Sequence, residues 1–156
     1  MTMFRGSNSV TLDARGRMAL PSRFRPVVLE HCDGQVVITI DLHERCLLLY
    51  PLPEWENIES SLQSLANIRP STRAIQRLLI GHATDVQLDG HGRVLLPPTL
   101  REFAGLEKRL IVLGIGKKIE IWSEELWRDR EGSSRAMASE VSSELTDAGG
   151  LDALSI

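Results

Sequence analysis

Two five-residue stretches, Asp13-Ala14-Arg15-Gly16-Arg17 and Asp89-Gly90-His91-Gly92-Arg93, set a carboxylate four positions before a guanidinium with a glycine just ahead of the arginine. An Asp side chain accepts hydrogen bonds from backbone N–H groups two residues on, and Gly takes the left-handed conformation without a Cβ cost. The pairing therefore predicts a tight turn between two strands, with Asp13, Gly16, Asp89 and Gly92 shaping the turn rather than touching a ligand. Nothing in turn geometry asks for a long cation at the next position. Arg17 and Arg93 have two readings: a forked contact to phosphate or a base edge from an exposed sheet face, or an ion pair with the Asp four positions earlier. For Arg93 the two readings stand level. Around Arg17, the neighbours Arg15, Arg23 and Arg25 favour a polyanion.

Charge placement carries the same message. The net charge of −3 argues against a nucleic-acid partner only if charge is spread evenly. Residues 1–26 instead hold Arg5, Arg15, Arg17, Arg23 and Arg25 against Asp13 alone, and residues 66–101 hold five arginines against Asp85 and Asp89. The stretches between and after these blocks are acidic. Neither block contains Lys, and Arg suits planar, two-pronged recognition of phosphate or guanine. Arg5, Arg15, Arg17, Arg23, Arg25 and Arg93 are thus the candidate DNA-binding residues, although each of Arg5, Arg15, Arg23 and Arg25 taken alone also reads as a solvated surface charge.

Other chemistries lack their constellations. There is no Gly-x-Ser-x-Gly elbow, no Gly-Lys-Ser/Thr phosphate loop and no His-Glu-x-x-His pair, so no enzymatic activity and no cofactor are expected. The nearest metal-like set, His31 and Cys32 with His43 and Cys46, has the spacing of no common zinc site, and Cys46 opens an aliphatic run where it packs as a small apolar residue. Both cysteines are expected as thiols. No apolar run approaches the roughly 20 residues of a membrane span and no apolar leader follows Arg5, so the expected compartment is the cytoplasm.

The elements that position the two turns follow from an internal duplication. Val10, Leu12, Asp13, Gly16, Arg17, Leu20 and Pro21 recur 76 residues later as Val86, Leu88, Asp89, Gly92, Arg93, Leu96 and Pro97. Arg25 then matches Arg101, and Leu47, Leu49, Tyr50 and Trp55 match Ile119, Ile121, Trp122 and Trp127. Each copy reads as hairpin, short helix, hairpin and closing helix, with strands near 8–13, 17–21, 35–41 and 46–50 and again near 83–89, 93–97, 109–114 and 118–122. Ser22 is expected to cap a helix through His31, and Thr99 one through Ala104 that ends at Gly105. Residues 54–66 form an amphipathic closing helix, Ser71–Gly81 a linking helix, and Ser123 opens the second closing helix with Glu124 and Glu125 at its start. Four short strands bury too little to stand alone, so the modules are expected to pair into one closed, barrel-like core of α+β class with flanking helices.

Phe4-Arg5-Gly6, the two Asp-x-x-Gly-Arg elements, Cys46-Leu-Leu-Leu-Tyr50-Pro51 with Glu54-Trp55, and Arg77-Leu-Leu-Ile-Gly81-His82 together resemble the MraZ family over about residues 3–130. That resemblance implies two tandem AbrB-like modules of the swapped-hairpin class, at 1–67 and 82–131, joined through a linking helix at 68–81. It also implies a homo-oligomeric ring on double-stranded DNA at repeated promoter sites of the division and cell-wall gene cluster, hence a nucleoid-associated transcription regulator. The family's DNA-contacting arginines map onto Arg17 and Arg93, with Arg15 at a commonly basic position that His91 occupies in the second copy. Residues 132–156, rich in Ser, Ala, Glu and Gly, read as a mobile tail. The alternative is an antitoxin-like protein-interaction module of the same fold. Such a chain needs a sustained apolar segment, where 133–156 offers only scattered Met137, Val141, Leu145, Leu151 and Leu154.

Overall fold

The strand-forming runs of the two repeats are short and, in their second hairpins, apolar on both faces. Val36, Val37, Ile38, Thr39 and Ile40 are all buried, as are Leu47, Leu48, Leu49, Tyr50 and Pro51, and such strands must be covered on both sides. In a computed structural model, which describes residues 3–66 and 68–147, they form the middle of one antiparallel sheet. The chain divides into two units, 1–124 and 125–156.

The first unit runs β1 (Phe4–Thr11), β2 (Arg17–Ala19), α1 (Arg25–Cys32), β3 (Gln35–Ile40), β4 (Leu47–Pro51), α2 (Leu52–Ser64) and α3 (Pro70–Leu79). It continues with β5 (Thr84–Gln87), β6 (Arg93–Leu95), α4 (Pro98–Ala104), β7 (Arg109–Gly116) and β8 (Lys118–Ser123). Every strand read from the sequence is present. The sheet order is β1-β7-β8-β4-β3-β5, and β2 pairs with β6 as a separate two-stranded ribbon. Each first hairpin is therefore exchanged between repeats: β1 pairs with β7 of the second copy, β5 with β3 of the first, and β2 and β6 with one another.

One expectation is corrected here. The sheet does not close into a barrel, because β1 and β5 are its two free edges. The reason lies in the turns. Beyond a single bridge between Leu12 and Met18, β2 departs from β1 and finds its partner in β6, so the strands that would have closed the sheet form a ribbon beside it. That ribbon turns Met18 and Val94 inward, both fully buried, which contributes about 1.5–3 kcal/mol for each side chain. One core draws on both repeats: Phe4, Leu20, Phe24, Ile38, Leu47 and Leu49 pack with Leu96, Leu110, Val112, Ile119 and Ile121.

The helices follow the expected order with two changes at their starts. Residues 22–24 form a turn, with the Phe24 N–H on the Pro21 carbonyl, so α1 begins at Arg25 and Ser22 caps nothing. Pro26 is the cause, since a proline is accommodated in a helix's first turn and not inside it. Thr99 likewise sits inside α4, whose N-cap is Pro97, while Gly105 ends that helix in the left-handed conformation as expected. Thr39, buried in β3, donates to the Leu79 carbonyl at 2.7 Å and ties the end of α3 to the sheet. The last helix, α5 (Glu124–Asp147), begins at the final residue of the first unit and is continuous as far as Asp147. The expected boundary at 132 falls within it, and residues 148–156 lie outside the described ones.

Candidate nucleic-acid interface

The two Asp-x-x-Gly-Arg turns make the same hydrogen bonds, with matching distances that differ by a tenth of an ångström. Asp13 Oδ1 accepts the backbone N–H groups of Arg15 and Arg17, both at 2.9 Å, and its Oδ2 accepts the Arg17 Nε–H at 2.8 Å. Asp89 Oδ1 accepts the N–H groups of His91 and Arg93, both at 2.8 Å, and its Oδ2 accepts the Arg93 Nε–H at 2.9 Å. The carboxylate thus sets turn and arginine together. The Arg93 and His91 amides and the Arg93 guanidinium hold Asp89 down to about 2, with its desolvation opposing them. Asp13 is lowered by the same kinds of partner, the Arg17 amide foremost.

Of the two readings of Arg17 and Arg93, the ion pair is the one seen in this geometry. The ion pair with the preceding Asp exists in each copy, but it occupies Nε and leaves the terminal Nη pair of each guanidinium outside that bond. The ribbon register puts Arg17 opposite Leu95 and Arg93 opposite Ala19, with Met18 and Val94 between them. Because side chains alternate along a strand, Arg17, Ala19, Arg93 and Leu95 share the outer face, the inner one being Met18 and Val94. As diagonal neighbours on that face, the two arginine Cα atoms stand about 7–8 Å apart.

Gly16 and Gly92 adopt φ of +83° and +75°. Their missing side chains also make room for an arginine of the opposite repeat. A Cβ on Gly16 would lie 2.8 Å from Arg101 Cζ, and one on Gly92 would overlap the Arg25 Nε. Arg25 Nε donates to the Leu20 carbonyl and Arg101 Nε to the Leu96 carbonyl, at 2.8 and 2.9 Å. The backbone crosses in the same way, Leu20 N–H on the Gly92 carbonyl and Leu96 N–H on the Gly16 carbonyl, both at 2.8 Å.

Of the six arginines read from the sequence, Arg15 and Arg17 therefore share the first turn, Arg93 stands across the ribbon, and Arg25 lies over the second turn. Arg5 and Arg23 group elsewhere. Arg5 is exposed on β1, and the Arg23 guanidinium packs against Gly6 of that strand, 5.3 Å above the Phe24 ring. Sequence reasoning passed over Arg101, although its alignment with Arg25 was the available signal. Arg69, the N-cap of α3, and Arg73 and Arg77 within it fall at four-residue intervals, all exposed.

The metal-like set does not converge among the described residues. Asp41, Cys46 and Glu120 do, their ligand-type atoms within 4.8 Å of one another. Asp41 Oδ1 accepts the N–H groups of His43 and Glu44, and Glu120 Oε1 accepts the Trp122 indole N–H, so these carboxylates serve a turn and a ring. Burial, helped by Glu120 and Asp41, pushes the Cys46 thiol up and keeps it protonated. Both cysteines are free.

A family model described as "MraZ protein, putative antitoxin-like" matches the chain twice in tandem, over residues 3–78 and 79–148. The chain is 53% identical to a protein named Transcriptional regulator MraZ from Halorhodospira halophila, over 92% of this chain and 94% of that one. It is 54% identical to the protein of the same name from Thioalkalivibrio sulfidiphilus and 56% to that from a Marinomonas species. Each of those matches covers 80% of this chain and 83% of the relative. These relatives are named as regulators, not as enzymes.

Proposed function

Because the chain belongs to the MraZ family, we propose that it is a sequence-specific DNA-binding transcription regulator whose reading head is the β2–β6 ribbon with its two flanking turns. The observation that carries this reading is the pair of arginines on the ribbon's outer face, each fixed through Nε by an Asp of its own turn. A major groove admits a two-stranded ribbon, and a guanidinium fork matches the acceptor pair of guanine or a phosphate. The exposed Arg15 at the tip of the first turn adds a phosphate partner that His91 does not equal in the second, so the two turns contribute unequally.

One chain offers few contacts, and affinity then rests on several copies engaging repeated sites. We place those sites in the promoter of the division and cell-wall gene cluster, with the protein acting in the cytoplasm on the nucleoid as a ring. Support for association comes from α3 and the connection that leads into it from α2. Leu65, Ile68 and Leu78 are 46%, 87% and 42% exposed, and α3 buries no residue in the described chain, which suits a face shared between copies. An antitoxin-like interaction module would use that same face for a different protein.

The test is fluorescence anisotropy with a duplex taken from upstream of the protein's own gene, against a random duplex of equal length. The wild type is expected to prefer the upstream duplex, with Arg17→Ala abolishing the preference and Arg93→Ala reducing it. A folded oligomer that binds both duplexes equally contradicts the regulator and promotes the protein-interaction reading.

A further inference from the structure

The crossing of Arg25 and Arg101 between repeats has no counterpart in the turn chemistry that orders Arg17 and Arg93. Each is half-buried, each spends Nε on a carbonyl of its own chain segment, and neither has an ion-pair partner among the described residues. Each lies against the glycine of the other repeat's turn, where a Cβ would collide with it. Nε-anchoring leaves the terminal donors of all four arginines, two per turn, beside the same ribbon. A guanidinium already held in place loses less side-chain freedom when it meets a ligand.

We propose that Arg101 is a further DNA-contacting residue, and that it and Arg25, already a candidate from the sequence, pair crosswise, each completing the turn of the opposite repeat. Arg101 works with Arg17 at the first turn and Arg25 with Arg93 at the second. The unit that meets DNA is then a composite of both repeats, and neither repeat holds a whole site. The ligand chemistry is a phosphodiester oxygen at each turn, since both guanidinium groups sit beside the ribbon's ends, whereas Arg17 and Arg93 occupy its outer face. This assignment rests on the DNA reading given above.

The experiment measures the salt dependence of binding to the upstream duplex and to the random duplex for the full-length protein. Arg101→Gln keeps an N–H donor and most of the chain length while removing the charge. It is expected to weaken binding about tenfold on both duplexes and to lower the slope of log K against log salt by about one. In double-mutant cycles Arg101→Gln should be non-additive with Arg17→Ala and additive with Arg93→Ala, and Arg25→Gln should show the reverse. A slope equal to wild type for Arg101→Gln, while Arg17→Ala abolishes the preference for the upstream duplex, overturns this inference and leaves the regulator reading in place. If Arg17→Ala is also without effect, the regulator reading itself has failed. Coupling of Arg101 to Arg93 instead of Arg17 overturns the crossed assignment.

Discussion

At the scale of single residues, a short carboxylate does three jobs at once: it accepts two amides, closes the turn and orients an arginine. The charge matters because three donors converge on it, which is why Asp89 is held to about 2. A carboxyl lowered on folding contributes stability above its unfolded value, near 4, and that contribution is lost as pH falls toward its folded value. Asp89→Asn keeps one acceptor oxygen and removes the charge. Its unfolding midpoint is expected to vary less with pH between about 4 and 2 than that of the wild type, and thermal melts across that range check it. The Asp and Gly of each turn were legible from type and spacing because local backbone chemistry demands them. The fate of Arg17 was not, since the same spacing serves an ion pair and an outward fork; the structure shows the ion pair, made through Nε.

At the scale of elements, the repeat made the strand list readable, because two copies with matching alternation test one another. Pairing was harder to read. A hairpin signal in sequence says that the chain turns back, not that its arms stay together, and here a single isolated bridge, Leu12–Met18, joins the end of the first arm to β2 among the described residues. The arms separate because the ribbon partner, β6, and the sheet partner, β7, both come from the other repeat. Helix starts were misplaced for a local reason: Pro26 fixes where α1 can begin, and Ser22 lies too far ahead of it. The glycines between the elements carry the crossing. Gly92→Ala combines a left-handed backbone with a collision against Arg25, and is expected to cost about 1–3 kcal/mol. Chemical denaturation of wild type and variant checks this, and an unchanged midpoint would mean that the turn relaxes freely.

At the scale of the molecule, the exchange of hairpins explains why one core serves two repeats and why the two turns lie at the ends of one ribbon. Duplication followed by exchange gives a single chain the two-fold arrangement that a single-module protein reaches by dimerising, with the freedom to let the copies diverge, as His91 against Arg15 shows. The overall plan of two paired modules was readable from the repeat, whereas the open sheet edges and the Arg25–Arg101 crossing depend on contacts between residues far apart in the chain, Arg25 with Gly92 and Arg101 with Gly16 among them, which periodicity does not encode. The central claim is that DNA is met by this ribbon and its turns, and amide hydrogen exchange with and without the upstream duplex tests it most directly. The account predicts slower exchange on DNA binding at residues 14–19 and 90–95, greater in the first stretch, with α2 and α3 unchanged at matched oligomeric state. Protection confined to α2 and α3, with both turns unaffected, would contradict it.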